Sequence, residues 1–205
     1  TWAVQNGSKI TGLPAGGYTP AGHSDLTTGM NAIPAATTVA TARINVPGPA
    51  TMDLSAGTTT VSQGGLLVTS AVGANPVTIQ NGSLTSTSGE FVVHQHNTAG
   101  DLTISATIGG TNILTKAGNG KLILAGANAS TGAIHINQGT LQIGNGAAGT
   151  ARVAAQLISG STSRGARTSG SGSAPGRLCE QCPQPRAIVL VSAWAGSGRC
   201  VHKVG

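Results

Sequence analysis

Residues 109–146 read Gly109-Gly-Thr-Asn-Ile-Leu-Thr-Lys-Ala-Gly-Asn-Gly-Lys-Leu-Ile-Leu-Ala-Gly-Ala-Asn-Ala-Ser-Thr-Gly-Ala-Ile-His-Ile-Asn-Gln-Gly-Thr-Leu-Gln-Ile-Gly-Asn-Gly146. Four short segments alternate apolar and polar residues here: Asn112–Leu114, Lys121–Leu124, Ala133–Ile136 and Thr140–Ile143. A period of two sends one set of side chains to one face of a strand. Gly, Asn and Ser fill the gaps between them, as tight turns require. No helical spacing intervenes, so the stretch predicts strands joined by very short connections.

The pattern extends upstream to about residue 51, through Thr59–Val61, Leu66–Thr69, Val77–Ile79, Phe91–Val93 and Leu102–Ile108. One phrase recurs: an aliphatic residue, two others, Gly, one other, then Leu. It occurs at Val61…Gly64…Leu66, Ile79…Gly82…Leu84 and Ile136…Gly139…Leu141. The first two copies are 18 residues apart and the next two 57 apart, which equals three steps of 19. Self-similarity near 20 residues predicts a solenoid with one phrase per coil. Stacked coils would merge their inward aliphatic rows into one thin core, with backbone pairing between coils about 4.8 Å apart. A sandwich or barrel is the alternative, and it calls for longer strands and more aromatic residues.

Composition agrees with the solenoid. The chain has 205 residues, of which 32 are Gly, 39% are hydrophobic, 8% charged and 2% aromatic. Four aromatic side chains (Trp2, Tyr18, Phe91 and Trp194) are too few to anchor a broad globular core. Val, Ile and Thr suit a pleated surface, while Gly and Thr disfavour a helical bundle. Residues 1–50 carry prolines at 14, 20, 34, 47 and 49 and are expected to be irregular, with edge strands such as Thr37–Ile44. The chain opens at Thr1 without a charged-then-apolar leader, which predicts a processed or truncated product. The longest apolar run, Ala187–Ala195, is too short to span a bilayer, so no transmembrane segment is expected.

The stretch 109–146 resembles the autotransporter-associated β-strand repeat, or passenger-associated transport repeat. The resemblance rests on Leu114-Thr-Lys116, Gly118 and Gly120, Leu122-Ile-Leu124, Gly126-Ala-Asn128, Thr131-Gly132 and Gly139-Thr-Leu141. Gly64-Gly-Leu-Leu-Val68 and Val77-Thr-Ile-Gln-Asn-Gly-Ser-Leu84 resemble less regular coils of the same kind. The resemblance implies an all-β right-handed parallel β-helix, secreted or displayed on the bacterial outer surface. It implies a repeat that assists passenger folding and secretion, with an outer-membrane translocation barrel or sorting segment elsewhere. Exposed polar ladders of Thr, Ser and Asn extend this reading to an adhesin, with a surface or host glycan or protein as the expected ligand. The barrel's own signature, roughly ten-residue alternating strands with aromatic girdles, is not in this stretch.

Chemistry is sparse. Residues 1–150 hold four carboxylates, Asp25, Asp53, Glu90 and Asp101, with no two within ten residues. A polysaccharide lyase or hydrolase on a β-helix would cluster acids on one exposed face. That enzyme is the alternative function, favoured if two of the four share a groove. Gly118-Asn-Gly120-Lys121-Leu122 lacks the hydroxyl residue and glycine spacing of a phosphate loop, and reads as a coil corner. His94-Gln-His96 puts two imidazoles on one strand face, a geometry suited to a transition metal, but no third ligand is near. They read as outward polar residues, with Phe91 and Val93 inward and His135 also outward. Cys179-Glu-Gln-Cys182, with Cys200 and His202, has loose zinc-site spacing. No catalytic, cofactor or metal residue is assigned, and no cofactor is expected.

The formal net charge of +6 belongs to one end. Residues 1–150 balance Lys9, Arg43, Lys116 and Lys121 against the four acids. Residues 151–205 carry seven basic groups against Glu180, together with all three cysteines. Charge so confined marks a solvated tail and gives no reason to expect nucleic-acid binding. The expected division is therefore 1–50 irregular, 51–150 solenoid and 151–205 a basic tail, disordered or produced by a shifted reading frame.

Overall fold

A computed structural model describes residues 3–6, 9–12, 18–144, 152–153, 157–159 and 187–191, with side chains described over 18–144. In chain order the strands are β1 (Ala3–Asn6), β2 (Lys9–Gly12), β3 (His23–Leu26), β4 (Gly29–Ala32), β5 (Thr37–Ile44), β6 (Ala50–Asp53) and β7 (Thr58–Val68). There follow β8 (Val77–Gln80), β9 (Ser83–Ser86), β10 (Glu90–Gln95), β11 (Leu102–Ile104), β12 (Thr107–Ile108) and β13 (Ile113–Ala117). The series closes with β14 (Lys121–Leu124), β15 (Ala127–Asn128), β16 (Ile134–Ile136), β17 (Gly139–Ile143), β18 (Arg152–Val153), β19 (Leu157–Ser159) and β20 (Ala187–Val191). A single 3-10 turn, Ser70–Val72, is the one helical element among the described residues.

Apart from the β1–β2 hairpin, every pairing is parallel, which requires the chain to return to the same end between paired strands. It returns by coiling. The first face is the seven-stranded ladder β4-β6-β8-β11-β14-β17-β20. The second joins the amino-terminal parts of β5 and β7 to β9 and β12. The third joins β3, the carboxy-terminal parts of β5 and β7, β10, β13, β16 and β19. Each coil visits the faces in that order: β8, β9 and β10 make one coil, and β11, β12 and β13 the next. The fold is an all-β parallel solenoid.

Its core is a set of register columns. On the first face Met52, Ile79, Ile104, Leu124 and Ile143 stand one above another, beside Ala50, Val77, Leu102, Leu122 and Leu141. All but Ile143 are essentially inaccessible to solvent. Each buried Val, Leu, Ile or Met side chain among them contributes about 1.5–3 kcal/mol by leaving water. The columns do the work that bulky aromatics do in a globular core.

Two expectations change. The regular pairing begins upstream of residue 51. Thr37–Ile44, expected at an edge, pairs with β3 on one side and β7 on the other. Pro34, Pro47 and Pro49 do not prevent this, because they lie in the corners before and after β5 where no ladder donor is needed. The recurring phrase, expected once per coil, marks three different corners. Val61…Leu66 joins the second face to the third, Ile79…Leu84 the first to the second, and Ile136…Leu141 the third to the first. At each, Gly64, Gly82 or Gly139 has positive φ (69°, 56° and 77°), turning the chain so that the Leu two residues on points inward again. The steps between coils vary: Ala50 pairs with Val77, whereas Leu122 pairs with Leu141.

The expected disordered or frame-shifted tail over 151–205 falls mostly outside the described residues. Those described there, β18 to β20, pair with β15, β16 and β17 respectively.

Candidate functional site

The four carboxylates separate. Asp25 faces Arg43 across the ladder, taking hydrogen bonds from Nε at 2.9 Å and from a terminal guanidinium nitrogen at 2.6 Å. Both side chains are buried, and the bond to Asp25 raises the Arg43 pKa, against its desolvation. Asp53 ends β6. It accepts from Asn81 Nδ2 at 2.9 Å, the Ser55 backbone N–H at 2.9 Å and Gln80 Nε2 at 3.2 Å, which together hold its pKa below the ordinary value. Glu90 opens β10 and accepts from the Thr115 hydroxyl. Asp101 precedes β11 and meets Lys121 Nζ at 3.0 Å in a partly exposed pair. No two of these acids pair with each other or occupy one register column. Each of the four has its own hydrogen-bond partner: Arg43 for Asp25, Asn81 for Asp53, Thr115 for Glu90 and Lys121 for Asp101.

His94 and His96 stack with ring centroids 5.8 Å apart and planes 7° from parallel. Burial lowers the His94 pKa, helped by the charges of His96 and Lys116. Phe91 and Val93 face inward as expected. Among the described residues no three His, Cys, Asp or Glu side chains are grouped to hold a metal. Cys179, Cys182, Cys200 and His202 lie outside the described residues.

The chemistry that sequence reasoning missed lies inside the stack. Gln95, Asn97 and Lys116 are buried, with exposures of 0%, 1% and 0%. Lys116 occupies the third-face column that runs Ser24, Ala42, Leu66, Val93, Lys116, Ile136. Its Nζ donates to the carbonyls of Ala117 at 2.9 Å, Gly118 at 2.6 Å and Gln138 at 3.0 Å. Gln95 Nε2 donates to Gly100 O at 3.0 Å, and Asn97 Nδ2 to Gly73 O at 2.7 Å. Alternation carried the signal: Lys116 is two residues after inward Leu114, and Gln95 two after inward Val93. Gly118-Asn-Gly120 is the corner from β13 to β14, as the sequence indicated.

The outer surface is built of hydroxyl rows. Thr51, Thr78 and Thr103 stack on the first face, and Thr38, Thr60 and Thr85 on the second. Beside the latter run Thr58, Ser83 and Thr107, with Thr58 and Ser83 hydroxyls 2.9 Å apart. Successive members are about 4.8 Å apart, the distance between paired strands.

Residues 114–143 match the Passenger-associated-transport-repeat. The match begins at the buried Leu114-Thr-Lys116 strand and ends on the first face at Ile143, so it covers one full coil and the start of the next. The chain is also 45% identical over 73 residues to the Adhesin BmaC autotransporter of Brucella suis biovar 1 (strain 1330). Those residues are 36% of this chain and 2% of that protein. No solved structure gives a significant match. Residues 114–143 thus resemble a transport repeat of autotransporter passengers and the chain is similar to part of an autotransporter adhesin, which indicates a secreted or outer-membrane surface location. Among the described residues no helix is long and apolar enough to cross a membrane.

Proposed function

We propose that this segment is a non-catalytic stalk and display surface within an adhesin-like passenger, and that its transport repeat assists folding and secretion. The supporting observation is the unbroken parallel stack from β3 into the repeat, whose interior is packed by ladders while its outer faces present rows of Thr and Ser. Such a stack grows one coil at a time, because each coil needs only its predecessor to bury its aliphatic row. That suits a chain emerging progressively through a membrane pore. The pore, a translocation barrel or sorting segment, belongs to the longer protein outside this chain. The ligand of the display surface is a surface or host glycan or protein. The division near residue 150, where positive charge and cysteines first concentrate, is part of the same proposal: the stalk lies before it.

Deleting residues 114–143 from the full-length protein tests the secretion role. Surface exposure, read by protease accessibility on intact cells, should fall while total synthesis is unchanged. Undiminished exposure would refute it. Replacing Thr60 and Thr85 with Lys in the full-length protein tests display, since cell attachment should drop without loss of surface exposure.

A further inference from the structure

We propose that the corner shared by the coil β11–β13 and the coil β14–β16 is a monovalent-cation site, which the chain fills with its own Lys116 ammonium, tying those coils together. Lys116 stands in a column otherwise made of Ser, Ala, Leu, Val and Ile, so simple packing would place an aliphatic residue there. Its ammonium has three N–H donors, and all three are taken by carbonyls. Two of these oxygens, on Ala117 and Gly118, belong to its own corner, and the third, on Gln138, belongs to the corner of the next coil. One side chain thus ties both. Among the described residues no backbone N–H reaches the Gly118 or Gln138 oxygen, and no carboxylate pairs with Lys116.

A buried charge balanced by carbonyl dipoles alone is the arrangement with which backbone oxygens replace the hydration shell of a monovalent cation. The walls are backbone. A side chain on Gly118 or Gly120 would strike the backbone of Gln95 or Asn97, and one on Gly139 would strike the carbonyls of Gly118 and Gly120. The Lys-x-Gly-x-Gly spacing of residues 116–120 is therefore one device. The lysine supplies the cation, and the glycines let three successive corners approach closely enough to enclose it.

The test removes the resident cation and offers another. In the 205-residue chain, Lys116→Ala should lower the thermal midpoint. Added ammonium or potassium chloride should restore part of the loss, saturably, and tetramethylammonium chloride at equal ionic strength should not. The wild type should respond equally to all three salts. A Lys116→Ala chain that folds only with ammonium or potassium also supports the site. If it gains no more from ammonium than from tetramethylammonium, or fails to fold under every salt, the cation site is refuted. A second measurement needs no variant. In ¹⁵N-lysine-labelled wild type at pH 6, one ammonium signal should show slowed hydrogen exchange and disappear in Lys116→Met. If all lysine ammoniums exchange as fast as free lysine, the ammonium is not enclosed. If Lys116→Met also melts at the wild-type temperature, the locking role fails with it.

Discussion

Replacing Gly82 with alanine separates the two demands that a solenoid corner makes on its glycine. The first is conformational: at φ 56° an L-residue is in the left-handed region, which costs about 1–2 kcal/mol. Alanine recovers about 0.4–1 kcal/mol by restricting the unfolded chain, leaving roughly 1 kcal/mol. The second demand comes from the neighbouring coil. A Cβ at Gly82 would meet the backbone of Gly57, whose carbonyl also accepts the Ser83 N–H at 2.8 Å. Forcing an atom into a packed contact adds about 1–3 kcal/mol. Gly82→Ala should therefore destabilise by about 2–4 kcal/mol. Gly89 is the control, because its φ is 80° but an added Cβ meets nothing within 4 Å. Gly89→Ala should cost about 1 kcal/mol or less, from the dihedral alone. Urea unfolding followed by far-ultraviolet circular dichroism measures both. Equal costs within about 0.5 kcal/mol, a typical surface-substitution effect, would show that the corners do not stack as described.

Other consequences are equally direct. Arg43→Met leaves the Asp25 carboxylate buried without its partner and should cost about 3–5 kcal/mol, most of it recovered in the Asp25→Leu/Arg43→Met double variant; a double-mutant cycle by chemical denaturation decides. Ile104→Ala should cost about 2–5 kcal/mol from an interior column, while outward Thr103→Ala stays within about 0.5 kcal/mol, and similar midpoints for the two would place the faces wrongly. Burial pushes the Lys116 pKa from 10.5 down to about 8. Between those values the unfolded chain holds a proton that the folded chain has released, because burying the charge costs more than the three carbonyls return; stability should therefore rise with pH across that window, as a neutral amine that keeps two N–H donors for the carbonyls replaces the ammonium, and be flat in this respect below it. Urea midpoints at pH 7.5 and 9.5 should show the rise in wild type and a smaller one in Lys116→Met.

Much of the architecture was legible because it is local. A two-residue alternation and a corner glycine act within a few residues of chain, and they marked the strands Val77–Gln80, Lys121–Leu124 and Gly139–Ile143. Pro34, Pro47 and Pro49 misled upstream, since a proline weakens a strand only where its missing donor would have paired, and these three occupy corners. Ser83–Ser86 went unread because its alternation is a single Leu84 flanked by hydroxyls.

What the sequence alone determined is which residues turn inward, and that the turns recur often enough to stack. Only the tertiary structure decided who stands above whom. The residues spent at each corner vary, so the offset from one coil to the next cannot be read from any one coil. That offset places Arg43 over Asp25, spreads four acids over separate sites and sets the Lys116 ammonium against Gln138 of the following coil. Local dihedral preferences choose the direction of a side chain, but its neighbours are set by the summed length of everything between two strands.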